Sequence, residues 1–238
     1  MKQIVQIIRV SEQGVNHPFQ CKADDGGVYW CKGLQAGYRV MKTEWICGCI
    51  AQSLNLPIPP FCPLICSPEL SDAWVNSGRG CERLSSPFMR VVFGSMEVPS
   101  AVDVRDVANL DGVSDAEQMA AIYLFDKVIQ NIDRTEENSN ILLKFGEHQG
   151  FYIIDHSNAF TRKFDTADFS RTHLFRDAFA SCSEETRRRL IQQFKERVNQ
   201  GVINRSWDGM PSEWQDDLSD DLDLSSVNDI VLRGVGKL

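Results

Sequence analysis

The chain has 238 residues, 42% of them hydrophobic and 24% charged, with a formal net charge of −8. That length suits one large domain or two intimate lobes with a real core, and the acidic balance argues against a dedicated nucleic-acid-binding surface. No stretch approaches the ~18 apolar residues needed for a membrane span. The opening MKQIVQIIRV is too short for a signal segment and is broken by Arg9, so a cytoplasmic protein is expected.

In such a protein the eight cysteines are expected as reduced thiols. Structural zinc wants paired C-x-x-C spacings. Cys47-x-Cys49 and Cys62-x-x-x-Cys66 do not supply them, and small core or near-surface residues are the simpler reading of Cys47 and Cys49.

In chain order, PFQCKA and VYWCKG flank the turn-rich ADDGG, a hairpin signal. A helix follows around MKTEWICGCIAQSLNL, with Trp45, Ile46, Cys49, Ile50 and Leu54 near one face, and Pro57, Pro59 and Pro60 stop it. Residues 61–97 read as strands and loops ending in the apolar FMRVVFGSMEV, which Gly94 and Ser95 interrupt. Ser114 and Glu117 form a capping-box pattern that opens a helix carrying Met119, Ile122, Tyr123, Phe125 and Ile129.

The polar loop NIDRTEENSN comes next, then NILLKF and FYIID as two strands joined through GEHQG. The remainder reads as helices. Ser183 is placed to cap EETRRRLIQQFKERV, and Pro211 to start SEWQDDL. Arg187, Arg188 and Arg189 read as a solvated face with Glu184 and Glu185, and the acidic DDLSDDLDL as another. His17, His148 and His173 show no ligand spacing and read as loop or surface residues. The expected class is α+β with two lobes: 1–97, mostly strands with one helix, and 98–238, mostly helical with an inserted hairpin.

The strongest signal is NIDRTEENSNILL followed by FYIIDHSNAF. An Asp in a loop after a helix has an Asn five residues on, and a tight hairpin then delivers a second Asp at the end of an apolar strand. Phosphoryl transfer uses such a set. One carboxylate orients the acceptor hydroxyl and takes its proton, while a second carboxylate and an amide oxygen hold magnesium against the β- and γ-phosphates. Hard magnesium accepts few protein oxygens because it keeps waters and phosphate ligands. Asp133 is the candidate base, and Asp155 a candidate metal ligand. For the amide, the five-residue spacing from Asp133 favours Asn138, which is the expected ligand, whereas position just before the strand points to Asn140 as the alternative.

These residues resemble the HipA-like kinases, and more distantly the phosphatidylinositol kinases, over most of residues 15–165. That family's loop runs N-x-D-R-x-x-x-N-x-N, met here by Asn131, Asp133, Arg134, Asn138 and Asn140, and its later motif begins like D-H-G, met by Asp155 and His156. Ser157 departs from the glycine of that motif. The resemblance implies a protein-kinase-like fold with ATP and Mg2+ as cofactors. It also implies that Lys32, closing VYWCKG, contacts the nucleotide phosphates and that Glu44 on the next helix pairs with it. No G-x-G-x-x-G occurs; in HPFQCKADDGG the glycines Gly26 and Gly27 read first as the hairpin turn, with a nucleotide-covering role as the alternative, and FMRVVFGSMEV resembles an adenine-binding strand or reads equally well as a core strand.

The activity so implied is phosphorylation of a protein Ser or Thr, with an unidentified protein acceptor and a regulatory partner protein. A lipid or small-molecule kinase and a nucleotide-binding pseudokinase are the alternatives.

Overall fold

The computed structural model describes residues 1–11, 16–33, 35–76, 90–107, 115–146, 149–217 and 220–238. The chain divides into two compact units. The first comprises Met1–Trp45, Pro59–Glu97 and Gly209–Asp221, and the second Ile46–Ile58, Val98–Asp208 and Leu222–Leu238. Two segments therefore depart from a single cut at residue 97: part of the first helix joins the second unit, and 209–221 returns to the first.

The first unit is built on a closed five-stranded barrel. Its strands are β1 (Lys2–Val10), β2 (Phe19–Ala23), β3 (Val28–Lys32), β4 (Phe61–Ile65) and β5 (Val91–Met96), in the order β1-β2-β3-β5-β4. The β2–β3 hairpin forms as its turn residues direct, with Gly26 at φ 82° supplying the left-handed position that L side chains resist. Ile4, Ile7, Phe19, Cys21, Tyr29, Cys31, Leu64 and Val92 fill the barrel.

Gly94 does not interrupt β5. It lies between Cys31 of β3 and Cys62 of β4, and a Cβ there would come within 2.6 Å of Leu64. The seven cysteines among the described residues are free thiols, and Cys21 and Cys31 touch at 3.2 Å between sulfurs inside the barrel.

Helix α1 (Tyr38–Ser53) is buried on most of its circumference rather than along one face, Met41 to Glu44 included. A second helix in the first half, α2 (Pro68–Asn76), lies where strands and loops were expected. Ser67 caps it, its hydroxyl accepting from the Leu70 amide.

In the second unit, β6 (Ala101–Asp103), β7 (Ile141–Lys144) and β8 (Gly150–Ile153) form an antiparallel sheet in that order. Helix α3 (Ala116–Ile129) is capped by Asp115, whose carboxylate accepts from the Glu117 and Gln118 amides. Ser114, the expected cap, lies outside the described residues.

The helices α4 (Thr166–Thr172), α5 (Arg176–Ser181), α6 (Glu184–Arg197) and α7 (Gln200–Asp208) follow. Then come α8 (Ser212–Gln215) and α9 (Leu224–Gly236). Ser183 caps α6 as its sequence directs. Gly234 lets α9 approach α3, since a Cβ there would lie 2.7 Å from the Val128 carbonyl. No helix among the described residues is long and apolar enough to cross a membrane.

Candidate active site

Asp133 lies in the loop between α3 and β7, half-buried, its amide donating to the Asn131 side-chain oxygen at 3.2 Å. Helix α3 ends with Gln130 in the left-handed region at φ 54°, which turns the chain sharply into this loop. The loop closes on itself through the Thr135 amide and the Asn138 carbonyl at 2.9 Å.

Asn140 and Asp155 lie at the open end of the β7–β8 hairpin, Asn140 opposite Ile154 and Asp155 one residue beyond it. The Ile154 amide donates to the Asn140 carbonyl at 3.0 Å, one step beyond the last ladder pair, Ile141 with Ile153. Both residues are left-handed, at φ 48° and 52°, a conformation Asn and Asp adopt at lower cost than other L residues. The Asn140 side-chain amide donates to Asp133 Oδ2 at 3.3 Å, which assigns its oxygen to the opposite side. Of the two asparagines, Asn140 therefore reaches Asp133 with its side chain, while Asn138 serves the loop through its backbone, its amide also donating to the Thr135 hydroxyl. Ser157 explains its own departure from glycine: its amide and its hydroxyl donate to Asp155 Oδ1 at 3.2 and 2.6 Å.

Beneath this loop lies a buried polar network that the sequence reading missed. Arg134 is fully buried, its Nε donating to Asp126 Oδ2 at 2.6 Å. Asn131 donates to Asp126 Oδ1 at 3.0 Å, and His173 lies 2.9 Å from Asp126 Oδ2. His173 is thus a core residue at 2% exposure, not a surface one. Its Nδ1 accepts from the Phe175 amide at 3.0 Å, so the ring proton sits on Nε2 and points at Asp126. Burial alone would raise the Asp126 carboxyl, but Arg134 and then His173 more than offset it and hold the group below the ordinary carboxylate range. Burial also keeps His173 below the usual histidine value, against the pull of Asp126. An Asp directly after the apolar run Ile122–Phe125 of α3, eight residues before Arg134, was the available signal.

In the first unit, Lys32 closes β3 and donates to Glu44 Oε1 at 2.5 Å, both side chains nearly excluded from water. The acidic run that read as a solvated face is put to use. Lys42 on α1, 1% exposed, donates to the Asp217 carbonyl at 2.9 Å and lies 3.3 Å from the Asp220 carboxylate, and Arg39 pairs with Asp221 at 2.8 Å. Trp214 in the same segment is fully buried, its indole N–H donating to the Val91 carbonyl at 3.0 Å.

Residues 4–235 match the family model described as HipA-like kinase. The chain belongs to the HipA-like kinase family. The match reaches past residue 165, where the recognisable motifs stop. Among solved structures, this HipA-like kinase is similar to the Helicobacter pylori proinflammatory kinase CtkA, with a TM-score of 0.61 at 10% identity, covering 98% of this chain and 92% of that one. It is also similar to the Golgi casein kinase with Mn/ADP bound, with a TM-score of 0.59 at 12% identity, covering 99% and 72%. At these identities the likeness is one of fold, and that fold is the α+β fold of kinases. No curated protein sequence matches the chain significantly.

Proposed function

We propose that this kinase transfers the γ-phosphate of ATP, with Mg2+, to a Ser or Thr hydroxyl of a protein. The observation that carries the reading is that Asn140 links the two acids, bonded to Asp133 by its side-chain amide and, through its carbonyl, to the amide of Ile154, the residue before Asp155. A protein acceptor is supported by the fold likeness to a casein kinase, and a divalent cation by that kinase having been solved with Mn/ADP.

The donor set fits a hard cation. Asn140 and Asp155 offer an amide oxygen and a carboxylate, and among the described residues no His, Cys, Asp or Glu cluster of three competes as a protein cage. When bound, the cation would neutralise charge on the β- and γ-phosphates.

In the reaction the acceptor oxygen forms a bond to Pγ while the bond from Pγ to the β-bridging oxygen breaks, and ADP departs with that electron pair. Asp133 orients the hydroxyl and receives its proton. Ser157 holds the Asp155 carboxylate in one rotamer. Lys32, aimed by Glu44, serves the nucleotide phosphates.

The test is incubation of the purified protein with γ-labelled ATP and Mg2+, with and without a cell lysate, beside Asp133→Ala. Label on protein Ser or Thr with wild type is the expected result. Asp133→Ala should give none while binding nucleotide as before, because the base acts on the acceptor. Label in lipid would replace the acceptor class, and no transfer with either Mg2+ or Mn2+ would remove the reading.

A further inference from the structure

The Arg134 guanidinium does more than neutralise Asp126. While Nε meets Asp126 Oδ2 at 2.6 Å, Nη1 donates to the Asn140 carbonyl at 2.6 Å and lies within 3.5 Å of the Ile154 carbonyl and 3.4 Å of the Ser139 carbonyl. Ile154 and Ser139 directly precede Asp155 and Asn140 in the chain. One rigid, fully buried fork thus ties the end of α3 to both backbone strands that present the cation-facing side chains. A planar guanidinium can do this because its donors are fixed in direction, which a single ammonium on a flexible stem cannot imitate.

The fork is itself held. Asp126 is fixed by Asn131 on one oxygen and by His173 on the other, and the His173 ring is fixed in turn by the Phe175 amide. The Arg134 carbonyl accepts from the Leu174 amide at 3.0 Å, and Thr135 forms an isolated bridge with His173. Asn140 and Asp155 both need a left-handed backbone, which costs energy unless neighbours enforce it. The Asn140 carbonyl is where that enforcement acts, since it accepts from both Arg134 and Ile154.

We propose that Arg134, oriented by the Asp126–His173 pair, is a positioning residue that sets the geometry of Asn140 and Asp155 for the divalent cation. It acts through backbone carbonyls and touches neither cation nor nucleotide. This deepens, and rests on, the assignment of Asn140 and Asp155 to the cation.

Arg134→Lys keeps the charge opposite Asp126 and loses the fork. The full-length variant and wild type are compared by thermal melting and by Mn2+ binding in the presence of ADP, read as loss of the free-Mn2+ electron paramagnetic resonance signal. The Mg2+ dependence of phosphotransfer is read as half-saturation and kcat separately. A folded Arg134→Lys should bind Mn2+ with ADP about tenfold more weakly, the size typical when an outer partner of a metal site is lost. Its half-saturating Mg2+ should rise in step, and ADP binding without metal should not change, an outcome that a general structural role would not give.

Equal Mn2+ affinity in a folded Arg134→Lys overturns the positioning role alone. A wild type that binds no Mn2+ with ADP overturns the reading of the site and this inference with it. If Arg134→Lys gives no cooperative melt, His173→Gln carries the test: it leaves the ion pair but removes the ring held between Asp126 and Phe175. A roughly threefold weaker Mn2+ affinity is then expected on the same outer-partner argument, and an unchanged one overturns the proposal.

Discussion

The Lys32 ammonium donates to the Glu44 carboxylate at 2.5 Å from the last residue of β3 to the second turn of α1, with little water at either group. A pair this buried costs more to break than a surface contact does, because the survivor is left uncompensated. Lys32→Ala should weaken ATP binding and lower turnover together. Glu44→Ala leaves the ammonium charged but poorly aimed, so turnover should fall about 100-fold with a smaller loss of binding. The double variant should be little worse than Lys32→Ala. Nucleotide titration and initial rates across the four proteins check this, and strictly additive losses would separate the two residues.

Asn140 and Asn138 should differ sharply. Asn140→Ala removes the amide that meets Asp133 and the oxygen assigned to the cation, and should raise half-saturating Mg2+ about 100-fold. Asn138→Ala removes only a side chain, leaves the backbone contacts with Thr135 in place, and should stay close to wild type. Rates over a Mg2+ series decide. The reverse ranking would return the role to the residue five positions after Asp133.

Acid should destabilise the protein in two steps. His173 is neutral in the fold, its value held below 6.5 by burial, so the unfolded chain binds a proton there first as pH falls. Stability is therefore complete above pH 6.5 and declines below it. Asp126, held below 3.8 by Arg134 and His173 against burial, adds a second loss below that pH for the same reason, since the unfolded carboxylate protonates first. Urea midpoints for wild type and His173→Gln between pH 7.5 and 4.5 test the first step. The variant should be less stable at pH 7.5 and show a shallower decline, and parallel curves would contradict it.

Trp214 should behave as core although it arrives from the far end of the chain. Trp214→Ala empties a fully buried site and should cost about 3–5 kcal/mol. Trp214→Phe keeps a ring against Trp45 but leaves the Val91 carbonyl without its indole donor, and should cost about 1–3 kcal/mol. Denaturant unfolding measures both, and a Trp214→Ala protein as stable as wild type would remove this segment from the core of its unit.

Local chemistry alone determined the parts of this protein whose signals are short-range. The ADDGG turn made the β2–β3 hairpin readable, and Ser183 marked the start of α6. The order of Asp133, the two asparagines and Asp155 along one loop and hairpin named the family. The pairing of Lys32 with Glu44 came only through the resemblance to that family, since a lysine at a strand end and an acid on the next helix do not by themselves require it. What stayed hidden depends on contacts between residues far apart in sequence. His173 looked like any loop histidine until Asp126, 47 residues earlier, was placed against it. The acidic run looked solvated until Lys42, 175 residues earlier, was found at the Asp217 carbonyl. Asn138 and Asn140 are equally good turn residues by composition. Only the tertiary structure separated them, because the ladder of β7 and β8 decides which asparagine stands opposite Ile154, and a hydrogen-bond register is a property of two strands rather than of one.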